Sequence, residues 1–218
     1  MPSLSLKWVW ALLNVALLGT GTLLITLTTI WRAHNPLRNF VISELDLDAG
    51  LALGIALLVT WAISIGGILQ GNNSTGALII ANWALIVDAA AVVVIGCIVW
   101  FYTLQETNNF LTVWKSATPA TLQTLQDTLQ CCGYRNSTEL AVAAGTCADP
   151  TAAASLPGCS TIILPYATYT LQNIFSSVFG FMLVVIGFFL ATVCVVNRRK
   201  QTLRFIKIDE KRGGRAFV

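Results

Sequence analysis

The sequence predicts an all-α membrane protein: a left-handed bundle of four transmembrane helices, with a small disulfide-braced extracellular domain between spans three and four. Three observations predict it. Apolar residues make up 56% of the 218 and charged ones only 11%, against about a quarter charged in an ordinary soluble domain. The few charges are clustered, which leaves four stretches long enough to cross a bilayer at about 20 apolar residues each. Four of the six cysteines fall in one segment, between the third and fourth of those stretches.

Residues 1–7 form a cytosolic N-terminus that carries Lys7. The first span, 8–31, opens on Trp8 and Trp10 and closes on Trp31 before Arg32, an interfacial anchoring pattern. Its apolar run is too long for the core of a leader peptide, and no small-residue cleavage site follows. Ala11, Asn14, Leu18, Gly21, Ile25 and Thr28 alternate at spacings of three and four, forming one seam of small and polar residues. In lipid there is little hydrophobic drive between helices, so close approach at small residues and interhelical hydrogen bonds join them. Asn14 is therefore an intramembrane packing residue that needs a partner.

The small outer loop, 32–49, holds His34, the only histidine, with no second ligand placed to share a metal. The second span, 50–69, contains Gly50-x-x-x-Gly54, a spacing that permits tight helix contact. A short cytosolic turn, 70–75, makes spans two and three antiparallel neighbours. The third span, 76–102, repeats the seam with Ala77, Ala81, Ala84, Asp88 and Ala91. Asp88 lies about 18 Å along the axis from Gly76, near mid-membrane. An intramembrane carboxyl suggests a function by default. However, no span contains a Lys, an Arg or a second acid to pair with it, so a protonated Asp88 donating a hydrogen bond across a helix interface is the expected role. The fourth span, 174–196, continues a seam of Asn173, Ser177, Gly180, Val184, Gly187, Ala191 and Cys194. Three seams of period 3.5 predict the left-handed antiparallel bundle.

In the large loop, 103–173, Thr118-Pro119 reads as an N-cap followed by proline at the first helical position. Leu122, Leu125 and Leu129 give the apolar stripe of a helix that delivers Cys131 and Cys132. Adjacent cysteines bridge each other only with strain, so each faces one of Cys147 and Cys159. Both the nested and the crossed pairing satisfy that requirement. Gly133 directly afterwards permits a sharp turn. Asn136-Ser137-Thr138 is a glycosylation sequon. Asn72 and Asn73 match the same pattern, but on the cytosolic side, where they stay unmodified.

Basic residues set the orientation. The tail, 197–218, carries eight basic residues against Asp209 and Glu210, whereas the large loop has two basic residues against four acidic ones. The tail and N-terminus are therefore cytosolic and the large loop lies on the oxidising side, where disulfides persist. Cys194, just ahead of Arg198-Arg199-Lys200, is a candidate for palmitoylation at the cytosolic interface. Cys97 lies towards the outer end of its own span.

Taken together, the four spans, the short first and long second outer loops, and Leu125-Gln126-x-x-Leu129-x-Cys131-Cys132-Gly133 resemble the tetraspanin family. Asn14 after Lys7 matches the polar asparagine of the family's first span, and Gly66-Gly67 with Asn72 resembles the Gly-rich end of its second. The likeness covers nearly the whole chain, and it implies the nested pairing Cys131–Cys159 with Cys132–Cys147. The cysteines usual near the cytosolic ends of spans two and three are missing. So is the common acidic residue of span four, whose polar role Asp88 takes over. Both the short segment between the disulfides and the basic tail resemble fungal members more than animal ones.

The resemblance implies a non-enzymatic membrane organiser without cofactor or catalytic residue. Its expected partners are other integral membrane proteins, membrane lipids (sterol, and anionic lipid at the tail) and further copies of itself, with no nucleic acid. The expected location is the plasma membrane or an endomembrane. Two other classes compete with this reading. A membrane thiol oxidoreductase needs a low-pKa thiol, but Cys131 and Cys132 sit at a helix C-terminus, whose dipole disfavours thiolate. A small channel or transporter subunit would rest on Asp88 alone.

Overall fold

The computed structural model describes residues 4–33, 35–70 and 75–211. His34, Asn72 and Asn73 lie outside them. The described chain is all helical apart from its turns and loops. Four helices, α1 (Leu4–Trp31), α3 (Glu44–Leu69), α4 (Gly76–Leu104) and α8 (Ser160–Lys211), are long and apolar enough to cross a membrane. Their outward residues include Leu12, Val15, Val59, Trp83, Val87 and Leu183, all exposed. A surface of that kind requires a solvent other than water. The chain is a multi-pass integral membrane protein.

The helices run further than the apolar stretches. α3 starts at Glu44, because Ser43 and Asp46 exchange capping hydrogen bonds at its N-terminus. α8 continues through the basic tail to Lys211, since no Gly or Pro interrupts 197–211. Pro165 falls in its second turn and does not break it.

Two compact units can be distinguished. One comprises the chain up to Thr28, Ala49–Val94 and everything from Phe179 on. Its buried rows have a heptad spacing: Trp10, Asn14, Leu17 and Gly21 on α1; Leu53, Leu57, Thr60, Ser64 and Gly67 on α3; Leu78, Ala81, Leu85, Asp88 and Val92 on α4. α1 and α3 touch at Gly21 and Gly54, where a Cβ on Gly54 would lie 2.8 Å from Ile25 and 3.2 Å from the carbonyl of Gly21. The buried row of α8 is Val185, Phe188, Thr192 and Val195, one residue out of step with the seam Val184, Gly187, Ala191 and Cys194. Large apolar side chains bury more area than small ones, so they take the inner face. Ala191 is still buried, but Asn173, Ser177, Gly180 and Cys194 are exposed.

The other unit comprises Thr29–Asp48 and Ile95–Val178. Three of its short helices begin on a sequence-encoded cap. α2 (Pro36–Val41) starts on Asn35, α6 (Pro119–Leu129) on Thr118 and α7 (Pro150–Ala154) on Asp149; each of these three accepts a backbone N–H and precedes proline. α5 (Glu106–Ser116) follows α4 after the single residue Gln105. Phe110 and Trp114, one turn apart on α5, are buried together with Phe40 of α2, Leu122 and Leu125 of α6, Tyr134, and Ile163 and Ala167 of α8. Phe40 stacks on Phe110 with ring centroids 6.2 Å apart and meets the edge of Trp114 at 5.9 Å. The two loops thus share one core.

Candidate functional site

In the loop unit the site is built around the end of α6. Gln130 takes the left-handed conformation as C-cap, and the chain turns at once into Cys131, Cys132 and Gly133. Gln126, fully buried on the last turn of α6, donates to the carbonyl of Val142 and accepts from the N–H of Gly133 once its amide is oriented to suit these neighbours. Gly133 has φ +65, and a Cβ there would lie 2.1 Å from the carbonyl of Asn136, so no other residue fits.

Cys131 is bonded to Cys159 and Cys132 to Cys147, with Cα separations of 5.0 and 5.8 Å. The pairing is nested. The first bridge lies in the aromatic core and the second in a separate small cluster with Ala153 and Leu156. Between them the segment Pro157-Gly158-Cys159-Ser160 runs along Cys132–Tyr134: Cys132 N–H donates to Pro157, Cys159 N–H to Gly133 and Ser160 N–H to Tyr134. Gly158 is required there, because a Cβ would meet the carbonyl of Arg135 at 2.1 Å.

Three further groups stiffen this elbow. Trp114 Nε1 donates to the carbonyl of Leu140 at 3.2 Å, and Tyr134 Oη to that of Thr107 at 3.2 Å. Burial pushes the Tyr134 hydroxyl above its ordinary pKa. Asp127 Oδ1 accepts from the N–H and the hydroxyl of Thr146, at 2.7 and 2.8 Å, which holds its carboxyl below the usual range. The same carboxylate fills the space beside Gly145, whose φ is +54. Asp149 is held low in the same way by the hydroxyl and N–H of Thr151. Asn136 and Leu140 are exposed on the segment that these contacts brace.

In the span unit, Asn14 Nδ2 donates to Ser64 Oγ at 3.0 Å, and Thr60 Oγ1 donates to Asp88 Oδ2 at 2.7 Å, so Asp88 accepts where the sequence predicts a donor; all four residues are buried. Thr60 and Ser64 are one turn apart, so α3 carries a polar link to α1 and another to α4. At the far end of α3, Arg199 Nη1 of α8 donates to the carbonyl of Gly67 at 3.0 Å. Cys97 and Cys194 are free and exposed.

The structure thus brings together the four loop cysteines, while Asn14 and Asp88 each find a partner on α3. Thr60 and Ser64 were missed, although two polar residues one turn apart in an apolar span are a signal for them; Gln126 stood in the cysteine motif. Phe40, Phe110 and Trp114 gave no such signal, because their contact joins distant segments. Among the described residues no group of three or more His, Cys, Asp or Glu side chains is arranged to hold a metal. Comparison with known proteins found no matching family model, no matching curated protein and no matching solved structure.

Proposed function

We propose that this chain is a tetraspanin-like membrane organiser: a left-handed four-span bundle that associates laterally with other membrane proteins and lipids and recognises them through its large outer loop. One observation carries the reading. The Cys131-Cys132-Gly133 elbow, gripped by Gln126 and tied by two disulfides, holds the segment 135–156, exposed over most of its length, in fixed geometry. Pre-organisation of this kind lowers the entropic cost of binding a protein surface. In this reading the loop faces the cell exterior or an organelle lumen and both termini are cytosolic. Asn136 carries any glycan, Cys194 is acylated, and the first turns of the tail meet anionic lipid. Sterol and further copies of the chain are its other neighbours in the membrane.

Photo-crosslinking from position 138 or 140 in cells, followed by identification of the crosslinked proteins, tests this function. A defined set of integral membrane proteins is expected, and freeing the elbow by the double replacement Cys131→Ser with Cys159→Ser, which keeps the probe in place, should abolish it. If the crosslinked set survives that replacement, the reading is wrong.

A further inference from the structure

α8 does not stop where its apolar stretch ends. It runs on to Lys211, and Arg199 fastens the base of the extension to the last turn of α3 through the carbonyl of Gly67. Carbonyls in the last turn of a helix lack intrahelical partners and carry the negative end of the dipole, so a cation is well placed there. From Val196 to Lys211 the helix rises about 22 Å at 1.5 Å per residue.

Along this rod Lys200, Arg204, Lys207 and Lys211 recur at spacings of four, three and four, which aligns them in one stripe about 16 Å long. All four are exposed. At about 100° per residue, Asp209 and Glu210 fall on other faces, as does Arg198.

We propose that this stripe docks an acidic helical segment of a laterally associated membrane protein, with Asp or Glu at the same alternating spacing. The proposal rests on the organiser reading and deepens it by giving the chemistry of the partner. Charge complementarity alone also suits anionic lipid, but the geometry favours protein. A helix that continues its own span carries Lys207 about 17 Å and Lys211 about 22 Å beyond Val196. Surface charge is screened within about 8 Å at physiological ionic strength. Arg198 and Lys200 stay within reach of headgroups, and the distal part of the stripe does not. A segment rising from the same membrane beside α8 meets all four cations, at i, i+4 and i, i+3 positions of its own.

The test uses the full chain in nanodiscs of zwitterionic lipid, titrated with a fluorescent helix-forming peptide whose glutamates follow the four-three-four spacing. A second peptide has the same composition with its glutamates scattered around the helix. The aligned peptide should bind about tenfold tighter, a difference of about 1.4 kcal/mol. Lys207→Glu should weaken it severalfold, whereas Arg198→Glu, with the same change in net charge, should leave it nearly unchanged. Equal binding of the two peptides, or equal loss in the two variants, overturns the proposal. So does complete suppression by phosphatidylserine in the disc, which would assign the stripe to lipid. The titration uses neither the loop nor a cellular partner, so its failure and the failure of the crosslinking experiment are separate results.

Discussion

Thr60 and Asp88 meet side chain to side chain across two spans, the threonine hydroxyl donating to the carboxyl at 2.7 Å in a buried site. With Asn14 on Ser64 one turn away, α3 is polar-linked on two sides. Interhelical hydrogen bonds of this type contribute about 0.6 kcal/mol on average and up to about 1.7. Thr60→Val should therefore destabilise the chain in bicelles by about 1 kcal/mol, measured by reversible unfolding. A double-mutant cycle of Thr60→Val with Asp88→Asn should show coupling that is absent between Thr60→Val and Asn14→Leu. Equal coupling in both cycles would mean that the two links act as one network.

Backbone approach makes a second prediction. Gly54→Ala puts a Cβ 2.8 Å from Ile25 and 3.2 Å from the Gly21 carbonyl, whereas nothing lies within 4 Å of a Cβ at Gly19. Overpacking typically costs about 1–3 kcal/mol, and Ala gains up to about 1 kcal/mol over Gly in an open helical position. Unfolding should therefore show Gly54→Ala destabilised and Gly19→Ala neutral or stabilised. The same sign at both positions would refute the close crossing.

How much of this was legible beforehand depended on contrast within each segment. Asn14, Gly21, Asp88 and Ala81 stand out against apolar neighbours, so the phase of α1 and α4 could be read. Between Phe179 and Val196 α8 offers Thr192 as its one hydroxyl cue to the packed face, and its small residues set a phase one position off from the large ones that pack. The cap Thr118-Pro119 is local chemistry and appears in the sequence as it does in the fold, whereas Asp149-Pro150, the same signal in a turn-rich stretch, was missed as the start of α7. α5 was missed because Thr107, Asn108 and Asn109 disguise its start. The contacts of Phe40 with Phe110 and Trp114 span about seventy residues of sequence, and no local pattern encodes them.

The two disulfides differ in what they hold. Cys131–Cys159 closes 28 residues inside the aromatic core, and Cys132–Cys147 closes 15 beside Ala153 and Leu156. Chain entropy alone assigns about 3.5 and about 3 kcal/mol to loops of those sizes, so the difference must come from packing. Cys132→Ser with Cys147→Ser should increase hydrogen exchange only around 145–156. Cys131→Ser with Cys159→Ser should expose Trp114 as well, read by a red shift in its fluorescence. Indistinguishable exchange maps for the two variants would contradict the division of the core.

Acid should loosen the turn around Thr146. Folding lowers the Asp127 carboxyl below its ordinary 3.8 through hydrogen bonds from the Thr146 N–H and hydroxyl. The ionised group therefore contributes stability that is fully present above that ordinary value and is lost as pH falls through the lower folded one. Hydrogen exchange of the Thr146 amide should accelerate in that window, relative to a helical amide on another element such as that of Phe110 on α5. In Asp127→Asn the exchange, relative to the same reference amide, should already be faster at neutral pH and should no longer change with acid. An unchanged profile would show that Asp127 does not hold the turn.

Orientation is tested by two modifications on opposite sides of the membrane. Asn136 is exposed on the braced segment in an Asn-Ser-Thr sequon, so a lumenal loop presents it to the glycosylation machinery. Cys194 is exposed four residues before Arg198, so a cytosolic tail presents it to acyltransferases. Cys97 is also exposed, but it lies about 31 Å along α4 from the Gly76 end, towards the other face. The two marks are linked, because an odd number of crossings separates the loop from the tail. The expected outcome is a glycosidase-sensitive mass that disappears in Asn136→Gln, together with acyl exchange labelling that disappears in Cys194→Ser. A glycan that survives Asn136→Gln would place the sequons at Asn72 and Asn73 on the lumenal side and invert the topology. Labelling that moves to Cys97 would do the same. Absence of acyl label with the glycan intact would leave the orientation standing and remove the acyl anchor at the end of the fourth span.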